Sequence, residues 1–154
     1  MDKLIAGLLA PLMALAAAPA MADEGKGVTG AEAMAVLQAM DLEPELMSDR
    51  AGDPMIRFTL DGLVSYLNFY DCSGTRCGSL QLEVGLDLVN GTTLQVANVY
   101  NATYRYGRMT LDDEMDPFLH YDFEVLYADH AAHLRSQVEI FGRLLGDFRR
   151  AVDF

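Results

Sequence analysis

The sequence predicts an α+β domain in which an antiparallel sheet of about five strands carries helices on one face, in the order α-β-β-β-α-β-β-α. Two patterns indicate this fold. Apolar and polar residues alternate in runs between Met55 and Leu88, as in half-buried strands. Apolar residues then recur at steps of three and four between Ala131 and Val152, as in an amphipathic helix. A sheet covered on one side by helices accommodates both patterns.

The first elements are a helix and a short edge strand. Thr29-Gly-Ala-Glu32 has the spacing of a capping box, so we expect a helix from about Ala31 to Met40 that buries Met34, Leu37 and neighbouring alanines. Residues 46–49 are expected to form an edge strand before the chain turns at 52–54.

A three-stranded meander follows. Asp61-Gly62 between two alternating runs is typical of a two-residue hairpin, which places Leu60 opposite Leu63. If Cys72 and Cys77 lie directly opposite each other in the next hairpin, the apolar residues of all three strands share one face. The other expected pairs are Ile56 with Leu67, Phe58 with Ser65, Phe69 with Leu80, Leu67 with Leu82, and Ser65 with Val84.

Cys72 and Cys77, the only two cysteines, are predicted to form a disulfide at the end of the sheet, on the face opposite the core. A metal or redox role for the C-x4-C spacing is the weaker alternative, because there is no second cysteine pair and no C-x-x-C motif. The loop is short, so its stabilisation should fall below about 3 kcal/mol.

The second half of the chain supplies two strands between two helices. Thr92 and Gln95 predict a capping box for a helix that ends near Thr103. Strands are expected at 108–111 and 118–125, joined by an acidic turn, and a last helix at about 129–151. We expect the apolar stripe of that helix to pack on the sheet, although it could instead serve a second subunit in a homodimer.

Residues 1–22 have the features of a cleaved signal peptide: Lys3, an apolar run over residues 4–18, and Ala20-Met21-Ala22 as the cleavage site. A retained interfacial anchor is the alternative. Cleavage after Ala22 predicts a periplasmic protein with a flexible leader at 23–28 and a single domain at 29–154. Cleavage removes one acid and one base, so the mature chain keeps a net charge of −12. Such acidity argues against binding of nucleic acid or anionic membranes.

The predicted binding residues fall into two groups and one single position. Arg57, Tyr66 and Tyr70 alternate to the outer face of the meander with Asn68 and Gln81, which suits either a solvated sheet surface or a recognition patch. Arg105 and Arg108 could bridge to Asp112, Asp113 or Asp116, or could form an anion site. Asn101 completes the set.

Metal and catalytic sites have little support, and we predict neither, nor any cofactor. His130 and His133 could share a metal, but a solvated helix start explains them better. His120 is expected on the surface among carboxylates. The acidic turn at 112–116 could bind calcium through several oxygen ligands, but it lacks the spacing of an EF-hand loop, and acidic turns are common. No nucleophile elbow or phosphate-binding loop is present in the sequence.

The ordered motifs of this sequence resemble the YbjN-domain family of bacterial proteins, which are also described as sensory transduction regulators. The motifs are Gly52-Asp53-Pro54, Ile56-Arg57-Phe58, Asp61-Gly62, Phe69-Tyr70-Asp71-Cys72, Cys77-Gly78-Ser79-Leu80-Gln81, Tyr100-Asn101, Arg105-Tyr106-Gly107-Arg108 and Leu111-Asp112. Tyr100 stands where the family usually has Trp, which should leave a smaller buried ring. The resemblance implies a fold like that of type III secretion chaperones and a binding or regulatory role.

These observations together predict an exported, non-catalytic domain that binds a protein or peptide. The alternative is a periplasmic sensor of a small ligand or metal ion that uses Arg105 and Arg108 or the two helix histidines. An enzyme would need a polar pocket that no local motif reveals.

Overall fold

The computed structural model describes residues 26–125 and 129–154, and these ranges form the predicted α+β fold. The elements are β1 (Val28–Thr29), α1 (Gly30–Gln38), β2 (Glu45–Ser48), β3 (Pro54–Leu60), β4 (Leu63–Ser73), β5 (Arg76–Gly85), α2 (Leu94–Thr103), β6 (Arg108–Leu111), β7 (Pro117–Glu124) and α3 (His130–Ala151). The predicted signal segment and residues 23–25 of the predicted leader lie outside the described ranges.

All strand pairs in the sheet are antiparallel, in the order β2-β3-β4-β5-β7-β6, and β1 pairs with the start of β5. The described part of the chain thus holds seven strands, more than the five or so predicted. The edge strand expected at 46–49 is confirmed as β2, which pairs with β3. β1 has only two residues, too few for an alternation pattern to reveal.

The first hairpin has the predicted register. Leu60 pairs with Leu63, Phe58 with Ser65 and Ile56 with Leu67. Asp61 and Gly62 have φ values of 50° and 80°, which are the positive angles that a two-residue hairpin turn of this kind requires.

The second hairpin also has the predicted register, because Cys72 pairs with Cys77, Phe69 with Leu80 and Leu67 with Leu82. The disulfide is present. Its predicted position on the face opposite the core is wrong, since Cys77 is fully buried and belongs to the core cluster. Two local features explain this: β1 pairs with Cys77 through Val28, and Asp71 adopts a left-handed conformation that interrupts the extended backbone just before Cys72.

Two helix starts were predicted from capping boxes, and the structure confirms one of them. At α1, the Thr29 hydroxyl accepts from the backbone N–H of Glu32, and the Glu32 carboxylate accepts from the backbone N–H of Thr29. At α2 the cap is Thr93, whose hydroxyl accepts from the backbone N–H of Val96, so the predicted Thr92 and Gln95 box is wrong by one residue.

The core is a single apolar layer between the inner face of the sheet and the helices. The stripe of α3 lies in this layer, with Leu134, Val138, Phe141 and Phe148 fully buried. The prediction that α3 packs on its own sheet is therefore confirmed. Because the apolar stripe of α3 is buried within the chain, it is not exposed for contact with a second subunit. Across the described ranges, no helix has the length and apolar character needed to cross a membrane.

Candidate functional site

The sheet has an outer face that none of the described helices covers. One row of directly paired residues crosses six strands of this face: Glu45, Arg57, Tyr66, Glu83, His120 and Arg108. The next row contains Met47, Met55, Asn68, Gln81 and Asp122. Tyr70 is 45% exposed and Val64 is 40% exposed on the same face.

The structure brings four of the six predicted binding residues to this face. Arg57 and Tyr66 are direct cross-strand neighbours, and Tyr70 follows on the same strand. Arg108 ends the same row as Arg57 and Tyr66 at the far edge of the sheet. These side chains therefore share one surface, although the rows place Arg108 three strands away from Tyr66.

Asp122 organises the polar contacts near β6. Its Oδ1 accepts a hydrogen bond of 2.6 Å from the side-chain amide of Gln81, and its Oδ2 lies 3.5 Å from a guanidinium nitrogen of Arg108. The predicted bridge from Arg108 to the acidic turn is therefore wrong. Arg108 pairs with His120, and Asp122 is the next outward residue along that strand, so Asp122 lies within reach.

His120 lies beside a carboxylate, as predicted, but its side chain is only 14% exposed and is therefore mostly buried instead of on the surface. Its Nδ1 is 3.2 Å from a carboxylate oxygen of Glu83, and its Nε2 is 2.9 Å from the hydroxyl of Thr110. The imidazole stacks with the ring of Phe118, with 6.3 Å between ring centroids.

A recess of about 320 Å³ opens on the outer face beside Gly85. Gly85 pairs with Phe118, and a Cβ atom built on Gly85 would lie only 2.5 Å from the Phe118 ring. The absence of a side chain at residue 85 thus lets the ring lie against the sheet. Val64 and Tyr66 also line the recess, together with the acidic residues Glu83, Asp87 and Asp116.

Acidic groups also affect Tyr70. Its pKa is raised above the usual value of 10.0, first by partial burial and then by the negative charges of Glu83, Asp122 and Asp49. The outer face therefore has a negative electrostatic character around this ring.

Two predicted binding residues lie away from the outer face. The side-chain amide of Asn101 donates to the backbone carbonyl of Met109 at 3.0 Å, and its oxygen accepts from the backbone N–H of Met109 at 2.7 Å. The guanidinium of Arg105 lies 5.1 Å from the centre of the neighbouring Tyr106 ring. Asn101 thus joins α2 to β6, and Arg105 lies over an exposed aromatic ring in the loop between them.

The two helix histidines have different environments. His130 is only 4% exposed, so the prediction of a solvated helix start is wrong for this residue. The start of α3 lies close to α1 there, since His130 and Val36 line one cavity. His133 is more exposed, and its Nε2 lies 3.0 Å from the backbone oxygen of Glu124. Within residues 26–125 and 129–154, no group of three or more His, Cys, Asp or Glu side chains is placed to hold a metal ion.

The acidic turn uses its carboxylates to order the backbone. Asp112 accepts from the backbone N–H groups of Glu114 and Asp116 through the same oxygen. Asp116 is buried and accepts from the backbone N–H of Leu88. These contacts give two of the four acids in the turn, Asp112 and Asp116, a structural role.

The recess was not predicted from the sequence. A signal was present, because Phe118 is a large aromatic residue at a position that alternates outward. Its partner Gly85 could be assigned only after the pairing of β5 with β7 was known.

Comparison with known proteins places the chain in a family. The profile described as "YbjN: Putative bacterial sensory transduction regulator" matches residues 34–154, which is most of the sequence. The chain belongs to the YbjN family. No curated protein matches the sequence.

Among solved structures, this YbjN protein is similar to the type III secretion chaperone SycH of Yersinia pestis, crystallised in complex with a stable fragment of YscM2. The two share 14% sequence identity, and the match covers 75% of this chain and 98% of that chain with a TM-score of 0.46.

Proposed function

We propose that this YbjN protein is an exported, non-catalytic domain that binds a protein or peptide partner on the outer face of its sheet. The description of the family as regulators names a non-enzymatic class. A regulator of this kind acts by binding, and the outer face is the surface best suited to it.

The observation that carries the proposal is the composition of this uncovered face. Antiparallel sheets often have one solvated side, so exposure alone says little. Here, however, Met47 and Tyr70 expose 40% and 45% of their surfaces, and Tyr66 and Arg57 lie between them on adjacent strands. Aromatic residues, Met and Arg are enriched in protein interfaces, because they combine large apolar area with polar tips.

Contacts within the chain also hold the strands of this face together. The disulfide joins β4 and β5 at one end, and the Gln81 to Asp122 hydrogen bond joins β5 to β7 across the middle. A surface that is already ordered loses less conformational entropy on association. This favours recognition by a preformed sheet surface.

Two features support export to the periplasm. The first is the signal-like sequence at residues 1–22, and the second is the Cys72 to Cys77 disulfide. Disulfides are common in exported proteins and rare in the cytosol. Cell fractionation with N-terminal sequencing tests the inference: we expect a periplasmic protein that begins at Asp23, whereas an unprocessed cytoplasmic chain would contradict it.

Affinity capture from periplasmic extract tests partner binding on the outer face. The wild-type domain is compared with a Tyr66→Ala/Tyr70→Ala variant and with Leu94→Ala, which changes an exposed residue of α2 on the helical side. We expect one partner to be recovered reproducibly by the wild type and by Leu94→Ala, and lost from the double tyrosine variant.

Folding of each variant is checked by circular dichroism before capture. Failure to recover any partner, or equal recovery by all three proteins, would contradict a binding role for the outer face.

A further inference from the structure

We propose that the recess beside Gly85 receives a lysine or arginine side chain of the partner. This inference rests on the proposed binding function and specifies the chemistry of the partner at one position. Three features of the recess support it: its aromatic walls, its carboxylates and its size.

The walls are apolar and partly aromatic. The ring of Phe118 lies against Gly85, and the ring of Tyr66 lies on the neighbouring strand, beside Val64. Aromatic faces attract ammonium and guanidinium groups through the ring quadrupole. Apolar walls also suit Lys and Arg, because the methylene stems of these side chains pack against apolar surface.

The charge of the recess has one sign. Glu83, Asp87 and Asp116 line it, and none of the side chains that line it is basic. Glu83 also contacts His120, and Asp116 is fixed by the backbone N–H of Leu88, so two of the three carboxylates have defined positions. A cation that enters the recess therefore meets preorganised negative groups.

The volume favours a side chain over a free small molecule. About 320 Å³ is at the lower end of the range for small-molecule pockets, and such pockets are more enclosed than this open surface recess. The net charge of −12 would also attract a basic segment over a longer range and speed its encounter with this face. A basic side chain on a protein or peptide is thus the occupant with matching charge and size.

Selection from a library of random displayed peptides on the immobilised domain tests the inference. We expect the recovered peptides to share an Arg or Lys at one position. Replacement of that Arg by citrulline, which keeps the shape but removes the charge, should weaken binding about tenfold.

Variants of the domain locate the interaction. We expect Glu83→Gln/Asp87→Asn to weaken the arginine peptide about tenfold, and the citrulline peptide to bind the variant and the wild type alike. Glu139→Gln/Asp153→Asn removes the same charge from exposed positions of α3 and the residues after it, and should leave the affinity unchanged. Equal losses in both double variants would indicate general attraction to an acidic protein and would overturn the inference.

The test separates this inference from the binding function beneath it. Peptides that lack a shared basic residue, yet fail to bind Tyr66→Ala/Tyr70→Ala, would overturn the basic-side-chain inference and leave the outer face as a binding surface. Peptides that bind all variants equally, or that contact only the helices, would contradict both.

Discussion

The side chain of Asn101 and the backbone of Met109 exchange two hydrogen bonds, at 2.7 and 3.0 Å. The amide group thereby provides the same donor and acceptor pair that a neighbouring strand would offer to β6. Since Met109 is buried, its backbone groups would otherwise lack these partners on that side. This pairing gives Asn101 a structural role that is sufficient to explain its presence at the end of α2.

We predict that Asn101→Ala lowers the free energy of unfolding by about 1–2 kcal/mol, because two backbone groups of Met109 lose their partners. Asn98→Ala, on the exposed side of the same helix, is the control, and it should be neutral or slightly stabilising because Ala favours helix. Urea denaturation measures both. Equal stabilities for the two variants would show that the pair with Met109 contributes little.

The disulfide should stabilise the domain modestly. Its cysteines are five positions apart, and the entropic estimate for so short a loop is about 2 kcal/mol. We expect this loss in free energy of unfolding when the wild type is compared with and without reductant. Cys72→Ser/Cys77→Ser should be at least as unstable, because Cys77 is fully buried and a serine hydroxyl there needs a partner. Reduction without any change in the urea midpoint would contradict the prediction.

Local patterns were enough to predict the hairpins and the amphipathic helix. Period-two alternation, the Asp61-Gly62 turn and the cysteine spacing each restrict the register over a few residues, so the pairs Phe58 with Ser65 and Phe69 with Leu80 could be assigned from the sequence. The single-residue error at the second helix start arose because Thr92 and Thr93 are both good caps.

Contacts between segments that are distant in the sequence could not be predicted from local patterns. The partner of Arg108 depends on the register of β6 against β7, and the recess depends on β5 pairing with β7, so neither Asp122 nor the Phe118 and Gly85 pair could be assigned in advance. The burial of His130 likewise follows from where α3 meets α1. Sequence alternation therefore placed Arg57, Tyr66 and Tyr70 on one face. The contacts of Asn101, Arg105 and Arg108 were not predicted.

The contact between Gly85 and Phe118 should appear as a coupling energy. Gly85→Ala places a Cβ atom 2.5 Å from the ring as it now lies, so we expect a loss of about 1–2 kcal/mol together with displacement of the ring. In a Phe118→Ala background the same change should be neutral or stabilising, because alanine restricts the unfolded chain. A double-mutant cycle in urea measures the coupling, and additive effects would contradict the contact.

The capping box of α1 should make the free energy of unfolding depend on pH in the acid range. Burial raises the pKa of Glu32. Hydrogen bonds from the backbone and hydroxyl of Thr29, together with Arg76, outweigh this effect, so the pKa of Glu32 lies below its usual value of 4.5. The ionised carboxylate therefore adds stability that is present above pH 4.5 and is lost as the pH falls through the lower folded value.

Glu32→Gln tests this dependence. The variant should be less stable than the wild type at neutral pH, and the difference should shrink as the pH falls below 4.5. The loss at neutral pH should be small, because the side chain is 43% exposed and glutamine can still accept the backbone hydrogen bond. Glu139→Gln controls for the loss of one surface charge. A difference that does not change with pH would contradict the assignment to the carboxylate.

The hydroxyl of Tyr100 gives the last prediction, because it is buried and no described group forms a hydrogen bond with it. Burial, then the charge of Asp147 and then Tyr104, raise the pKa of this phenol above 10.0. The contribution of this phenol to stability is therefore fully present below pH 10.0, and it is lost as the pH rises toward the pKa of the phenol in the folded protein. Tyr100→Phe should be neutral or stabilising by up to about 1 kcal/mol at neutral pH, since it removes an unsatisfied polar atom.

Tyr121→Phe is the matched control for Tyr100→Phe, because the Tyr121 hydroxyl donates to the side chain of Gln137. Its loss should lower the free energy of unfolding by about 1 kcal/mol. Thermal and urea unfolding at neutral and alkaline pH compare the two variants with the wild type. Tyr100→Phe should also reduce the loss of stability above pH 10.0. If it destabilises the protein as much as Tyr121→Phe does, the Tyr100 hydroxyl has a partner and its burial carries no penalty.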